Sequence, residues 1–222
     1  MDITTLIGMI AGFALMVFGI GTSKLGNFFE TGSIIIVLGG TMAGVIASYP
    51  LRMLLGIPKH ILVTTREKKY SIPKLVDQMV DLATTARQNG LLALEEQAEQ
   101  IKDPFLKQGV LMLVDATDAD KIRHMMELEI DSLAARHDEV AGMYEKASAA
   151  APAFGMIGTL IGLINMLKGL NVDGGGGSSS LGEDMSVALI TTFYGCLLAN
   201  LIFNPIASKL RIRHQEEELY CS

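Results

Sequence analysis

Thr159 stands in an uncharged run of small and apolar residues, and Thr191 and Thr192 stand side by side in another. A threonine hydroxyl is a neutral oxygen ligand. In a water-poor setting it suits a cation that must shed part of its hydration shell. Ala151, Gly155, Gly158 and Gly162 recur at i, i+4, i+7 and i+11, so a helix through them has one flat face bordered by Thr159. Ala188, Thr192, Gly195 and Ala199 repeat that spacing, with Thr191 adjacent. Two such faces either pack on each other or admit a close partner helix, and spacing leaves both open. Each hydroxyl can also bond the carbonyl one turn back, which would leave it a packing residue. Pro152 and Pro205 lie near the ends of these two helices, where a missing backbone N–H makes a hinge or merely a first-turn residue.

Other chemistry is missing. A path for ions across a bilayer usually employs an intramembrane carboxylate, histidine or lysine. None occurs in the four apolar blocks that run from Ile3 to Ile20, Ser33 to Tyr49, Ala149 to Leu167 and Met185 to Ser208. A conducting role therefore requires another chain to bring the titrating group. No Ser/His/Asp arrangement, metal-ligand spacing or phosphate loop is present, and His60, His124, His137 and His214 are dispersed. The expectation is a protein that is not an enzyme and holds no metal or resident cofactor.

The elements that must position these residues are membrane helices. A bilayer core of about 30 Å needs about 20 helical residues, so each block can span. The apolar weight sits in Leu, Ile, Ala, Met and 23 glycines, while aromatics make up 6% of the chain. That balance fits close helix packing in lipid better than a soluble core. Basic residues gather after the second block (Arg52, Lys59, Arg66, Lys68, Lys69, Lys74) and after the fourth (Lys209, Arg211, Arg213). By the positive-inside bias those segments and both termini are cytoplasmic. Met1-Asp2 supplies no positive n-region, so the first helix is expected to serve as a retained membrane signal. Cys196 and Cys221 are unsuited to pair, and the net charge of −6 with no basic cluster argues against nucleic acid.

Four regions follow: residues 1–57 with two spans and a short outer loop, 58–148 as a helical cytoplasmic domain, 149–208 with two more spans, and 209–222 as a cytoplasmic tail. Over residues 51–150, 13 Lys/Arg face 16 Asp/Glu, a mixed and solvated surface. Pro73 opens a helix with Leu75, Met79, Leu82 and Ala86 as its apolar stripe. Asn89-Gly90 ends it, and a second helix covers Leu91 to Ile101. Asp103-Pro104 opens a third helix, and Asp118 to Asp120 cap a fourth that runs on into the third span. The last span is expected to continue past Pro205 into the tail. Residues 173–182 read as a flexible Gly/Ser linker on the outer side. No strand-like alternation appears, so the fold class is all-α, polytopic, with four transmembrane helices.

These residues carry a resemblance. The run Ala151-Pro152-Ala153-Phe154-Gly155-Met156-Ile157-Gly158-Thr159-Leu160-Ile161-Gly162 is similar to the third-helix motif of the flagellar stator A subunits, the MotA/PomA type of the MotA/TolQ/ExbB proton-channel superfamily. Ala188-Leu189-Ile190-Thr191-Thr192-Phe193-Tyr194-Gly195, with Ala199-Asn200 and Asn204-Pro205-Ile206-Ala207, resembles the fourth helix. Gly39-Gly40-Thr41 is similar to a small-residue turn of the second helix, and Ala86-Arg87-Gln88-Asn89-Gly90-Leu91-Leu92-Ala93-Leu94-Glu95 fits the cytoplasmic part. The similarity runs in order over nearly the whole chain.

The resemblance implies a ring of these chains in the inner membrane around a dimer of single-span B subunits, which supply the ion-carrying aspartate. Ion passage would turn the ring and push the rotor switch protein. Arg87 and Glu95 match the family's rotor-facing arginine and glutamate, and Pro152 and Pro205 its two prolines. Threonines at the positions of Thr159, Thr191 and Thr192 occur in sodium-driven members, so the resemblance implies transported Na+ rather than H+. The Gly/Ser linker departs from the family's usual outer loop. Rival readings are a Tol/Ton-type energiser of another envelope machine, disfavoured by two apolar blocks ahead of the cytoplasmic domain, and a non-conducting membrane scaffold.

Overall fold

The computed structural model describes residues 3–58, 60, 72–170 and 178–221. All regular elements among them are helical. α1 is Ile3–Ile20, an apolar run with no proline, and it stops at Gly21, whose φ of 82° ends the helix. A 3-10 turn, Thr22–Phe28, follows at 97° to α1. α2 is Thr31–Ser48, opened by Glu30, whose carboxylate accepts the N–H of Gly32 at 3.0 Å and that of Ser33. α3 is the single turn Leu51–Leu54. α4 (Ile72–Asn89), α5 (Leu94–Gln100) and α6 (Pro104–Val114) are short and amphipathic. α7 is Ala119–Leu170, 52 residues without a break. α8 runs over 178–221 as Ser178–Leu197, a π-helical segment Leu198–Phe203, and Asn204–Cys221.

α2, α7 and α8 are each long and apolar enough to cross a bilayer, and α1 with its bent continuation makes a fourth span. The side chains agree: Leu15 is 71% and Phe18 86% exposed, as lipid-facing residues must be.

The chain divides into two compact units. The first lies within residues 1–67 and 139–211 and holds the spans. Its core is Val45 from α2, Met143, Tyr144, Ala147 and Ala151 from α7, and Ala199, Phe203, Ile206 and Ala207 from α8. Gly40 lies beneath the ring of Phe154, in space a Cβ would fill, and Gly12 of α1 meets Leu201 of α8 in the same way. Gly39-Gly40-Thr41 is thus not a turn: it sits inside α2, just where a π-helical segment, Ile35–Gly39, gives way to α-helix.

The second unit lies within residues 68–138 and 212–222. Leu94, Ala98, Leu106 and Val110 form its centre, with Leu75, Leu82, Ala86, Ile101 and Val114 packed around them. Met79, expected in that stripe, is 49% exposed. Leu75, Leu82, Thr85 and Ala86 are the half-buried residues of α4, and Met79, although on the same side of the helix, is left uncovered. Asp103 caps α6 by accepting the Phe105 N–H at 3.0 Å, and Asp118 accepts the Asp120 N–H at 3.0 Å as α7 begins. Part of the expected outer linker is helical, because Ser178 to Gly182 already belong to α8. The rest of it, 173–177, and the basic residues Lys59, Arg66, Lys68 and Lys69 lie outside the described residues.

Candidate functional site

The small residues of α7 and α8 are consumed by each other. A Cβ at Gly155 would stand 3.0 Å from the Thr191 carbonyl, one at Gly158 would stand 2.5 Å from the Thr191 methyl, and one at Gly162 2.6 Å from the Asp184 carbonyl. From the other side, a Cβ at Gly195 would stand 2.6 Å from the Ala151 carbonyl. Ala188 and Ala199 are buried at 2% and 4%. Of the two arrangements the spacing leaves open, the structure takes the first: these two faces pack on each other within the chain. Gly155, Gly158, Gly162, Ala188, Gly195 and Ala199 hold two helices of the same chain at backbone contact.

The three threonines converge at that seam. Thr159 Oγ1 lies 2.9 Å from the Ala188 carbonyl, 3.1 Å from the Gly155 carbonyl and 2.5 Å from Thr192 Oγ1. Thr191 Oγ1 donates to the carbonyls of Ala188 and Val187, at 2.9 and 3.0 Å, and Thr192 Oγ1 lies 3.4 Å from the Ala188 carbonyl. One carbonyl thus gathers all three hydroxyls. Thr191 is fully buried, whereas Thr159 and Thr192 are half-buried and border the exposed side chains of Met156 and Leu189. Each hydroxyl has one proton and two lone pairs. Around Thr159 and Thr192, four oxygens, including the Gly155 and Ala188 carbonyls, share two hydroxyl protons.

Both prolines are internal. Pro152 lies mid-helix in α7 rather than in a first turn, and its Cα is 3.1 Å from where a Gly195 Cβ would be. Pro205 is the second residue after the π-helical segment of α8.

Arg87 is in the last turn of α4 and Glu95 in the first turn of α5, and both are exposed. Gly90, at φ 84°, makes the turn between them, and Gln97 ties α5 to α4 through a 3.1 Å bond to Thr85. The structure also pairs groups that look unrelated in sequence. The rings of His137 and His214 lie 5.5 Å apart, with Glu217 3.7 Å from His137 and Glu218 3.8 Å from His214. Nothing in their spacing could have shown this, since α7 and α8 had first to fold side by side. No group of His, Cys, Asp and Glu with metal-binding geometry occurs among the described residues. Burial, and then the carboxylates of Asp103 and Glu217, push the Cys221 thiol up to about 11.

Comparison with known proteins fits this geometry. The chain is 41% identical to the uncharacterized protein YtxD of Bacillus subtilis over 220 residues, covering 97% of this chain and 79% of that one. It is 37% identical to motility protein A of Treponema pallidum over 219 residues, or 98% and 82% of the two chains. Among solved structures, the flagellar MotAB stator complex from Bacillus subtilis superimposes with a TM-score of 0.85 at 31% identity, over 98% of this chain and 84% of that one. The sequence profile of the MotA/TolQ/ExbB proton channel family matches residues 97–222, more than half of the chain and the whole α7–α8 seam. With four spans, a close-packed helix pair and relatives aligned over nearly its full length, the chain belongs to the MotA/TolQ/ExbB proton channel family.

Proposed function

We propose that the chain is the A-type subunit of an ion-driven flagellar stator, coupling cation flow to torque on the rotor. Relatives such as motility protein A of Treponema pallidum are named for motility, and the structures it resembles are MotAB stator complexes. The family is one of channels rather than enzymes. The observation that carries the reading is the Thr159–Thr192–Ala188 oxygen cluster, in spans that contain no carboxylate, histidine or basic side chain from Met185 to Ser208 or from Ala149 to Leu167. A cluster that can ligate a cation but cannot carry its counter-charge is half of a site. A single-span B subunit with one intramembrane aspartate supplies the other half, seated where Thr159 and Thr192 reach the open edge of the seam.

On this reading copies of the chain form a ring around the B subunits in the inner membrane, with both termini cytoplasmic. The unit built on α4, α5 and α6 meets the rotor switch protein through Arg87 and Glu95. Pro152 and Pro205 are the hinges. The transported ion is sodium. Sodium loses waters beside the partner's aspartate, and neutral oxygens at 2.5–3.4 Å from one another replace them. A proton on the same carboxylate needs no such ligands. The test is swimming speed of cells with this stator alone, measured against external sodium at fixed pH, with a protonophore in a parallel sample. Speed that follows sodium and survives the protonophore is expected. Speed indifferent to sodium and abolished by the protonophore overturns the ion assignment and leaves the stator reading standing.

A further inference from the structure

The proposed ion path leaves an apolar pocket of the membrane unit unused. The chain turns at Gly21, and the 3-10 helix Thr22–Phe28 borders this half-open cavity of about 400 Å³ between α1, α2 and α8. Phe13, Val17, Leu25, Val37, Phe193 and Leu198 are among its walls, and Tyr194 is the one lining residue with a hydroxyl. That hydroxyl is already donated to the Phe28 carbonyl, where it fixes the turn. A cavity water needs two to four polar partners, which this wall does not offer. A half-open apolar pocket on a membrane span fills with the medium it faces. The occupant is therefore hydrocarbon. The same helices present Leu15 and Phe18 outward at 71% and 86% exposure, so acyl chains are the solvent next to the opening.

The rim selects the headgroup. Lys24 is exposed, adjoins the wall residue Leu25, and is the one charged residue between Gly21 and Phe29. The next charge, Glu30, is engaged by the amides of Gly32 and Ser33 at the start of α2. We propose that this cavity holds one acyl chain of an anionic phospholipid whose phosphate lies against Lys24. Such a lipid joins α1, the turn and α8 at the end of the bundle where α1 meets α2.

The experiment uses the full chain, purified with its single-span partner and placed in phosphatidylcholine nanodiscs. These contain a small fraction of phosphatidylglycerol with a diazirine on its acyl chain, or, in a second arm, phosphatidylcholine with the same tail. After illumination, adducts are mapped by mass spectrometry. The phosphatidylglycerol probe should label Leu25 and Leu198 at least as heavily as the outward controls Leu15 and Phe18. Val17→Phe fills the cavity and should lower labelling at Leu25 and Leu198 roughly tenfold, the loss expected from displacing about two buried methylenes. Labelling of Leu15 and Phe18 should not change. Leu38→Phe, at a lining position that is 41% exposed, serves the same purpose if the first variant fails to assemble. Lys24→Gln should lower phosphatidylglycerol adducts severalfold and leave phosphatidylcholine adducts as they were. Unlabelled cavity residues beside labelled controls would mean that a second copy of the chain fills the space, and the proposal fails. It fails equally if the phenylalanine variants change nothing, or if Lys24→Gln acts alike on both probes.

Discussion

Gly195→Ala, compared with Gly19→Ala, measures what the α7–α8 seam requires. Both replace a helical glycine in a span, so both gain the same conformational entropy, about 0.5–1 kcal/mol in favour of alanine. They differ in what the new methyl meets. At Gly19 there is nothing within 4 Å. At Gly195 the methyl would stand 2.6 Å from the Ala151 carbonyl oxygen and 3.1 Å from the Pro152 Cα. Both are backbone atoms, so no rotamer change relieves the clash. Ordinary contact begins near 3.4 Å, and the helices must separate by roughly 0.8 Å to reach it. Overpacking of this kind costs about 1–3 kcal/mol, so Gly195→Ala should be less stable than Gly19→Ala by about that amount. Separation also stretches the 2.5 Å contact between the hydroxyls of Thr159 and Thr192. The assay is thermal loss of the monodisperse peak of the detergent-solubilised complex, with swimming speed at matched abundance. Gly19→Ala should melt at or above the parent and swim normally, and Gly195→Ala should melt lower and swim poorly. Equal stability and speed in the two variants would refute the close-packed seam.

Charge reversal at Arg87 or Glu95 should slow swimming while membrane assembly, read by fractionation, stays intact, because an exposed ion pair contributes about 0.2–1 kcal/mol. Reversing both should be worse, and normal motility in the double variant would remove them from the rotor contact. Pro205→Ala restores an N–H donor in α8, and the variant should insert at normal abundance but rotate weakly; full torque would rule out a hinge there. The Cys221 thiol stays protonated until pH nears its raised pKa of about 11, so maleimide labelling at neutral pH should run about a hundredfold slower than at an ordinary cysteine. The rate should climb about tenfold per pH unit below that value, and a plateau near pH 9 would contradict the burial.

Much of the architecture was legible because its signals are local. An uncharged run such as Ile3 to Ile20, the Asp103-Pro104 cap and the glycine at 90 each declare an element within a few residues. The unity of α7 was legible for the same reason, since no breaker but Pro152 occurs within it. What escaped depends on partners distant in sequence. Spacing could show that Gly155 and Gly195 sit on small faces, but not that the two faces meet. Met79 shares the side of α4 that carries Leu75 and Ala86, and its exposure depends on what α5 and α6 cover. Both π-helical segments, Ile35–Gly39 and Leu198–Phe203, were invisible because an added residue per turn leaves no mark on composition. The threonine cluster stands between these cases. Its members were found by type and spacing, while their convergence on the Ala188 carbonyl required the fold.

The prolines gain a different meaning from these distances than from their positions alone. Pro152 has no N–H to give the Ser148 carbonyl, and Ser148 instead sends its own hydroxyl 3.3 Å across to the Ala199 carbonyl of α8. Pro205 likewise gives nothing to the Leu201 carbonyl, at a place where the π-helical segment has already shifted the bonding register. Both missing bonds therefore fall on the same side of the seam, beyond the close contact where Gly195 meets Ala151. On the other side, the Thr159–Thr192 pair and the Gly162–Asp184 approach hold the helices in register. The threonine cluster and the two missing backbone hydrogen bonds therefore lie on the same two helices, with Pro152 about two turns from Thr159 and Pro205 roughly three and a half turns from Thr192.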